Sequence, residues 1–178
     1  MAYQQGDPTA KYAGRLTLNP LVHIDWWGTV LMPLMLLYFF RFFFGYAKPV
    51  PINPNNFRNQ RKGLIFVSLA GVAANFIIAI ILGLVVRYAG NFQAAPFLSF
   101  IVLVNIWLGL FNLLPVPPLD GSKLLFGLIS GRSRRSLDFL EGAGSIWGII
   151  LALFIAVTFL PYVSQLLFNL ITGASAGI

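Results

Sequence analysis

From Leu64 to Val86 the chain runs for 23 residues without a formal charge. At ~1.5 Å per residue a helix of that length reaches about 35 Å, enough to cross a hydrocarbon core of ~30 Å with some tilt. The rest of the composition points the same way. Of 178 residues, 58% are hydrophobic and 10% charged, whereas a water-soluble domain is about a quarter charged. With 17 phenylalanines, the chain carries more apolar surface than one small globular core can bury, so lipid is the expected solvent.

Other segments read against that span. Trp26 to Phe44 is almost wholly apolar, broken by Pro33 and Arg41; its length permits a membrane crossing and its interruption permits a re-entrant hairpin. A further span is expected from residue 97 to 114, and a last one from 146 to 171 if the helix continues past Pro161. Residues 1–25 are mixed in polarity and hold no long hydrophobic run, so they form neither a signal peptide nor a first span. Within them Arg15-Leu16-Thr17-Leu18 alternates and precedes Asn19-Pro20, the pattern of a short strand ending in a turn. Lys48 to Pro54 holds three prolines and must be loop. The expected fold is thus an all-α polytopic membrane protein, a single membrane-embedded domain of three to four transmembrane helices with a short β segment near the N-terminus. Gly71, Asn75, Ala79 and Gly83 fall four apart, as do Gly144, Gly148, Ala152 and Ala156. Such stripes let membrane helices approach closely, so these faces should meet protein and the Ile/Leu faces lipid.

Charge placement orients the chain. Lys48, Arg58, Arg61 and Lys62 lie between the first and second hydrophobic segments, and Lys123, Arg132, Arg134 and Arg135 between the third and fourth; only Arg87 lies between the second and third. Short basic loops stay in the cytoplasm, which places residues 45–63 and 120–145 there. The same loops suit anionic lipid headgroups. No separate basic domain exists, so nucleic acid is not an expected partner.

Little titratable chemistry remains. The chain has no cysteine, one histidine and five carboxylates, which excludes disulfides, thiolate nucleophiles and thiolate metal sites. The most informative string is Asn112-Leu113-Leu114-Pro115-Val116-Pro117-Pro118-Leu119-Asp120-Gly121. A carboxylate at the end of a hydrophobic helix is costly to bury, so Asp120 should have a cation, a metal or a hydrogen-bond donor as partner, or else face water in a turn. Asn75, at the centre of a span, either glues helices together or offers its amide to a developing oxyanion or an extended peptide. Asn105 and Asn112 allow the same two roles. His23 and Asp25 cannot build a metal site alone, because catalytic zinc takes about three protein ligands; beside Trp26 and Trp27 they read as an ordered turn or interfacial anchor.

Together these strings resemble the site-2 protease family of intramembrane zinc metalloproteases, in its compact bacterial form without a PDZ domain. The resemblance is carried by Gly6-Asp7-Pro8-Thr9-Ala10, Gly14 to Pro20, His23-Ile24-Asp25, Tyr46 to Pro54, Gly71 to Asn75 and Asn112 to Gly121, six strings in family order over residues 6–125. It implies that Asp120 is the third zinc ligand, that Asn75 positions substrate or stabilises the oxyanion, and that Asn112 and the prolines shape the site. It further implies zinc as cofactor, a transmembrane protein or peptide as substrate, and the bacterial cell membrane as location. An extended substrate would add to the edge of the strand at residues 15–18.

Two departures qualify the resemblance. The Gly-Pro-x-x-Asn pattern reads Gly71-Val72-Ala73-Ala74-Asn75, without its proline. More gravely, His-Glu-x-x-His is absent, the motif that sets two imidazoles four apart on a helix with the glutamate as general base. In the family it lies just before the Gly-Asp-Pro-Thr-Ala string, so its helix is expected upstream of Met1, the chain then being a fragment and inactive alone. The alternative is a non-catalytic pseudoprotease acting as membrane scaffold or chaperone for transmembrane partners. A small transporter would need more polar groups than Asn75, Asn105 and Asn112, and a lipid-binding structural protein leaves the Asp120 string unexplained.

Overall fold

The computed structural model describes residues 1–17, 19–41, 50–89, 92–117, 119–128 and 145–173. They divide into two compact units, Met1–Gly63 and Leu64–Ile178. Lys48, Pro118, the arginines at 132, 134 and 135, and Gly144 lie outside the described residues.

In the N-terminal unit the elements are short. A 3-10 turn at Tyr3–Gln5 leads to α1 (Thr9–Tyr12), and a second at Pro20–His23 precedes a π-helical turn, Trp26–Leu31, that runs into α2 (Met32–Phe40). Asp25 starts that run: its Oδ1 accepts from the N–H groups of Trp27 at 3.0 Å and Gly28 at 2.8 Å, which would otherwise be orphaned. Pro33 is tolerated because it falls in the first turn of α2. From Trp26 to Phe40 the helical run is about 22 Å long, short of a ~30 Å hydrocarbon core. Residues 42–44, the end of the expected segment, are outside the described set.

The expected β segment is not formed: no strand occurs among the described residues. Leu18 lies outside the described residues, and local polar bonds take the backbone of residues 15–17 and 19–23 elsewhere. Arg15 N–H donates to Ala10 at 2.9 Å, and its buried guanidinium donates to the Val22 carbonyl. Thr17 Oγ1 accepts from Asn19 N–H, and His23 Nε2 lies 3.1 Å from the Thr17 carbonyl. A four-residue alternation with no partner strand cannot compete with such side-chain to backbone bonds.

The second unit is a helical bundle. Asn59 Oδ1 accepts from Lys62 N–H at 3.0 Å and so caps the start of α3 (Gln60–Tyr88). Next come α4 (Ala95–Leu113), α5 (Asp120–Leu128), α6 (Ser145–Thr158) and α7 (Leu160–Thr172). Both α3 and α4 are long and apolar enough to cross a membrane; α6 and α7 are bent by 50° at their junction and make a third crossing if the pair is one span. Pro161 accounts for that bend, since it lacks an N–H and its ring clashes with the preceding turn.

Ala79 of α3 and Val102 and Ile106 of α4 form the fully buried centre, with Leu82, Leu110, Leu167, Phe168 and Ile171 packed around them. Three helices therefore meet there, and Gly83 makes room for Ile171 and Val102. On the outer side of α3, Ile77, Ile78, Ile80 and Ile81 are exposed, the division of faces that the small-residue stripe leads one to expect. Ala152 and Ala156 of the second stripe are buried too. Arg87, at the end of α3, donates to the Leu170 carbonyl at 3.1 Å and thereby satisfies the C-terminal turn of α7.

Candidate functional site

The turn between α4 and α5 is built to fix one carboxylate. After α4 ends at Leu113, Val116 N–H donates to Leu114 at 2.8 Å and Leu119 N–H to Val116 at 3.0 Å, a tight descent made without a helix because prolines occupy it. Ser122 returns two bonds to the Leu119 carbonyl, from N–H at 3.1 Å and from Oγ at 2.7 Å. Gly121 is buried against the carbonyls of Leu113 and Leu114 so closely that any Cβ would overlap them. Gly148 of α6 approaches the Pro117 carbonyl in the same way, a Cβ there falling 2.7 Å from it. Backbone thus presses on the turn from two sides, which leaves Asp120 little freedom.

Asp120 is the first residue of α5, where the helix dipole favours a negative charge. Its Oδ1 is 3.0 Å from Lys123 Nζ, one turn along the same helix. Its other oxygen, Oδ2, points at α3: a Cβ on Gly71 would sit 3.7 Å from it. A small side chain at 71 would meet the carboxylate at ordinary van der Waals distance, so Asp120 lies directly against this helix. Asn75 lies one turn further along α3 on nearly the same face, about 6 Å away along the axis. It is half-buried, and its amide has no hydrogen bond among the described residues.

One turn in the other direction is Ser68, 2% exposed, whose hydroxyl is buried without a partner among the described residues. Ser68, Gly71 and Asn75 thus form a stripe of small and polar residues on an otherwise apolar helix, with Asp120 set against its middle. Asn112 is half-buried and donates from Nδ2 to the Leu108 carbonyl of its own helix at 2.9 Å, and Asn105 does the same to Ile101. Neither amide oxygen has a hydrogen bond among the described residues.

His23 is not available as a ligand through Nε2, which faces the Thr17 carbonyl and so carries the proton. Among the described residues, no group of three or more His, Cys, Asp or Glu side chains comes together. By themselves these residues do not fit a zinc ion, because a single carboxylate is far short of a catalytic ligand set.

The N-terminal unit holds a second carboxylate that the sequence pattern did not single out. Asp7 is completely buried. Its Oδ1 accepts from Thr9 N–H at 3.1 Å, from Thr9 Oγ1 and from Asn56 Nδ2 at 2.9 Å, while Oδ2 accepts from Asn53 N–H at 2.8 Å. Burial pushes its pKa up, but the bonds from Thr9 Oγ1, Asn56 and the Asn53 and Thr9 backbone outweigh it and hold the group at about 2. Asp-Pro-Thr is a local turn signature; nothing in it announces partners 46 and 49 residues away.

Residues 89–157, which include α4, the Asp120 turn and most of α6, match the family model described as Peptidase family M50. YwhC of Bacillus subtilis strain 168, provisionally named a zinc metalloprotease, is 38% identical over 87% of this chain and 71% of its own length. Rip2 of Mycolicibacterium smegmatis, named in the same provisional way, is 27% identical over 96% of the chain and 63% of its own length. Zinc metalloprotease MJ0392 of Methanocaldococcus jannaschii is 31% identical over 53% of the chain, which spans 29% of that relative. No solved structure gives a significant match.

Proposed function

Because the chain belongs to peptidase family M50, the site-2 proteases, we propose that it serves an intramembrane zinc metalloprotease that hydrolyses peptide bonds of membrane proteins, with Asp120 as its metal-binding carboxylate. The supporting observation is the meeting of Asp120 with the Gly71 to Asn75 stripe of α3. A carboxylate, a half-buried amide and a helix face without side chain are thereby brought to one place in a segment otherwise made for lipid. Polar groups so placed are expensive there and mark function.

The chain's own residues divide the work. Asn75 offers an N–H donor and a carbonyl acceptor to the backbone of a substrate helix that has been locally unwound, whose exposed peptide groups need partners in an apolar medium. Asn112 contributes its free amide oxygen to the wall beside the Asp120 turn, and the prolines keep that turn rigid. Anionic lipid at the basic loops and a bacterial cell membrane complete the proposal. A non-catalytic scaffold for transmembrane partners is the second reading, favoured by the lack of a three-ligand group among the described residues.

The test purifies the protein as its own host expresses it, wild type beside Asp120→Ala, in detergent or lipid nanodiscs. Bound zinc is counted by mass spectrometry and cleavage is followed on a single-span reporter. The wild type is expected to carry zinc and cut the reporter, and the Asp120→Ala form to lose both. Full zinc and full activity in Asp120→Ala would falsify the assignment, and a metal-free, inactive wild type would favour the scaffold.

A further inference from the structure

We propose that Arg41 and the face of α2 before it bind one phospholipid with an anionic headgroup, the guanidinium holding the phosphate and Leu34 and Leu37 the start of an acyl chain. Leu34, Leu37, Tyr38 and Arg41 line a groove of about 540 Å3, a size that suits a small organic ligand. Lying three, four and seven residues beyond Leu34, the other three fall on one side of a helix. All four belong to the N-terminal unit, so the inference does not depend on how Asp120 is read.

Three observations commit the groove to that ligand. Arg41 is the only charge in the apolar run from Trp26 to Phe44, where a cation needs compensation. Among the described residues it makes no ion pair and no side-chain hydrogen bond, so its charge is open to an anion from outside the chain. Its backbone is the second observation. Arg41 ends α2 with φ at 53°, and among the described residues no other non-glycine residue has a positive φ. Glycine is the ordinary occupant of such a helix end, and an arginine held there points to work done by its side chain.

The third observation is how the lining is divided. Two exposed leucines are followed by a tyrosine and then by a guanidinium at the helix end, the profile of a molecule with an apolar tail and an anionic head. An arginine fork gives a phosphate two parallel bonds, and the Tyr38 hydroxyl, on a ring set edge-on to Phe39 at 5.0 Å, is a further donor. The arginine stem lies along apolar surface while its head reaches the headgroup level. A free phosphate would gain nothing from the leucines. A zwitterionic headgroup would bring its own cation against the guanidinium, which the anionic headgroup does not.

The experiment uses the full chain in mixed micelles of phosphatidylglycerol and phosphatidylcholine, and native mass spectrometry counts the lipid that stays on the protein. Wild type is compared with Arg41→Gln, with Arg41→Gly, which suits the backbone at that position, with Leu37→Asn, and with Lys62→Gln, which removes a positive charge elsewhere. Circular dichroism confirms the helical fold of each. Wild type and Lys62→Gln are expected to keep one phosphatidylglycerol in preference to phosphatidylcholine, and both Arg41 variants to hold it roughly tenfold more weakly. Leu37→Asn should weaken it too, and excess inorganic phosphate should not displace it. Undiminished lipid on both Arg41 variants, or a wild type that keeps none, overturns the site. An equal loss in Lys62→Gln overturns it as well, since the attraction would then be general. Displacement by inorganic phosphate, or no effect of Leu37→Asn, replaces the lipid by a free anion. Equal retention of phosphatidylcholine overturns the anionic headgroup, and a second copy of the chain in the lipid's place overturns the lipid.

Discussion

Replacing Asp7 by asparagine keeps the shape of the side chain and removes its charge, and the hydrogen bonds around it fix the cost. Oδ1 serves Thr9 N–H, Thr9 Oγ1 and Asn56 Nδ2; Oδ2 serves Asn53 N–H. An amide offers one oxygen and one NH2. With its oxygen at the first position, the NH2 faces the Asn53 N–H; with the groups reversed, it faces three donors. Either way a donor loses its acceptor beside a fully buried group, which costs ~1–3 kcal/mol. The lowered pKa gives the same scale. A depression from 3.8 to about 2 corresponds to roughly 2.5 kcal/mol, and water reaching exposed Asn56 reduces that to about 2. Such a loss raises local opening about 30-fold. Hydrogen exchange in detergent micelles reads it directly at two amides, Asn53 and Arg58, the latter bonded to the Gln5 carbonyl at 2.9 Å. Both should lose about 30-fold protection in Asp7→Asn while amides of α4 do not change. A change below about threefold at both amides refutes the reasoning. The pH dependence has a definite sign: a depressed folded pKa gives stability that is fully present above the unfolded value of 3.8 and is lost as pH falls to about 2. Wild-type protection, corrected for intrinsic exchange, should fall across that window and that of Asp7→Asn should stay flat.

Other expectations follow from the bundle. Gly121→Ala should cost about 2–4 kcal/mol in thermal or denaturant unfolding because backbone carbonyls block its Cβ, whereas Gly109→Ala, which meets only the Phe76 ring edge at 3.0 Å, should cost about 1. Ser68→Ala removes a buried hydroxyl with no partner among the described residues and should leave stability equal or raise it by about 1 kcal/mol; a clear loss in the same assay would mean that the hydroxyl has a partner in solution. Arg87→Gln removes the bond to Leu170 and should speed exchange in the last turn of α7 severalfold, with α4 unaffected.

The spans were legible because lipid imposes a length and a composition that no local interaction needs to refine. Leu64 to Val86 fell inside α3, and residues 97–114 nearly coincide with α4. The strand at residues 15–18 was misread because four alternating residues carry too little information against Arg15, Thr17 and His23, whose side chains capture the nearby backbone. Asp120 stood out in the sequence as a charge that had no business at a helix end without a partner. That its partner in this fold is Lys123 depends on α5 beginning at Asp120, a register that the proline-rich turn does not disclose.

What the residues determine alone is set by solvent and by short-range chemistry: apolar runs long enough to cross, a proline-rich segment that cannot be helix, a glycine after an aspartate. These need no knowledge of what packs where. Tertiary structure decided which polar groups meet. Gly71 is a small residue in a stripe until Asp120 is set against it, Ser68 is an ordinary helical serine until its surroundings deny it a partner, and Asp7 is a turn residue until Asn53 and Asn56 arrive to surround it. The physical reason is one of range, since hydrophobic burial is non-directional and written along the chain, whereas a hydrogen bond is directional and exists only once distant segments are placed to within an ångström.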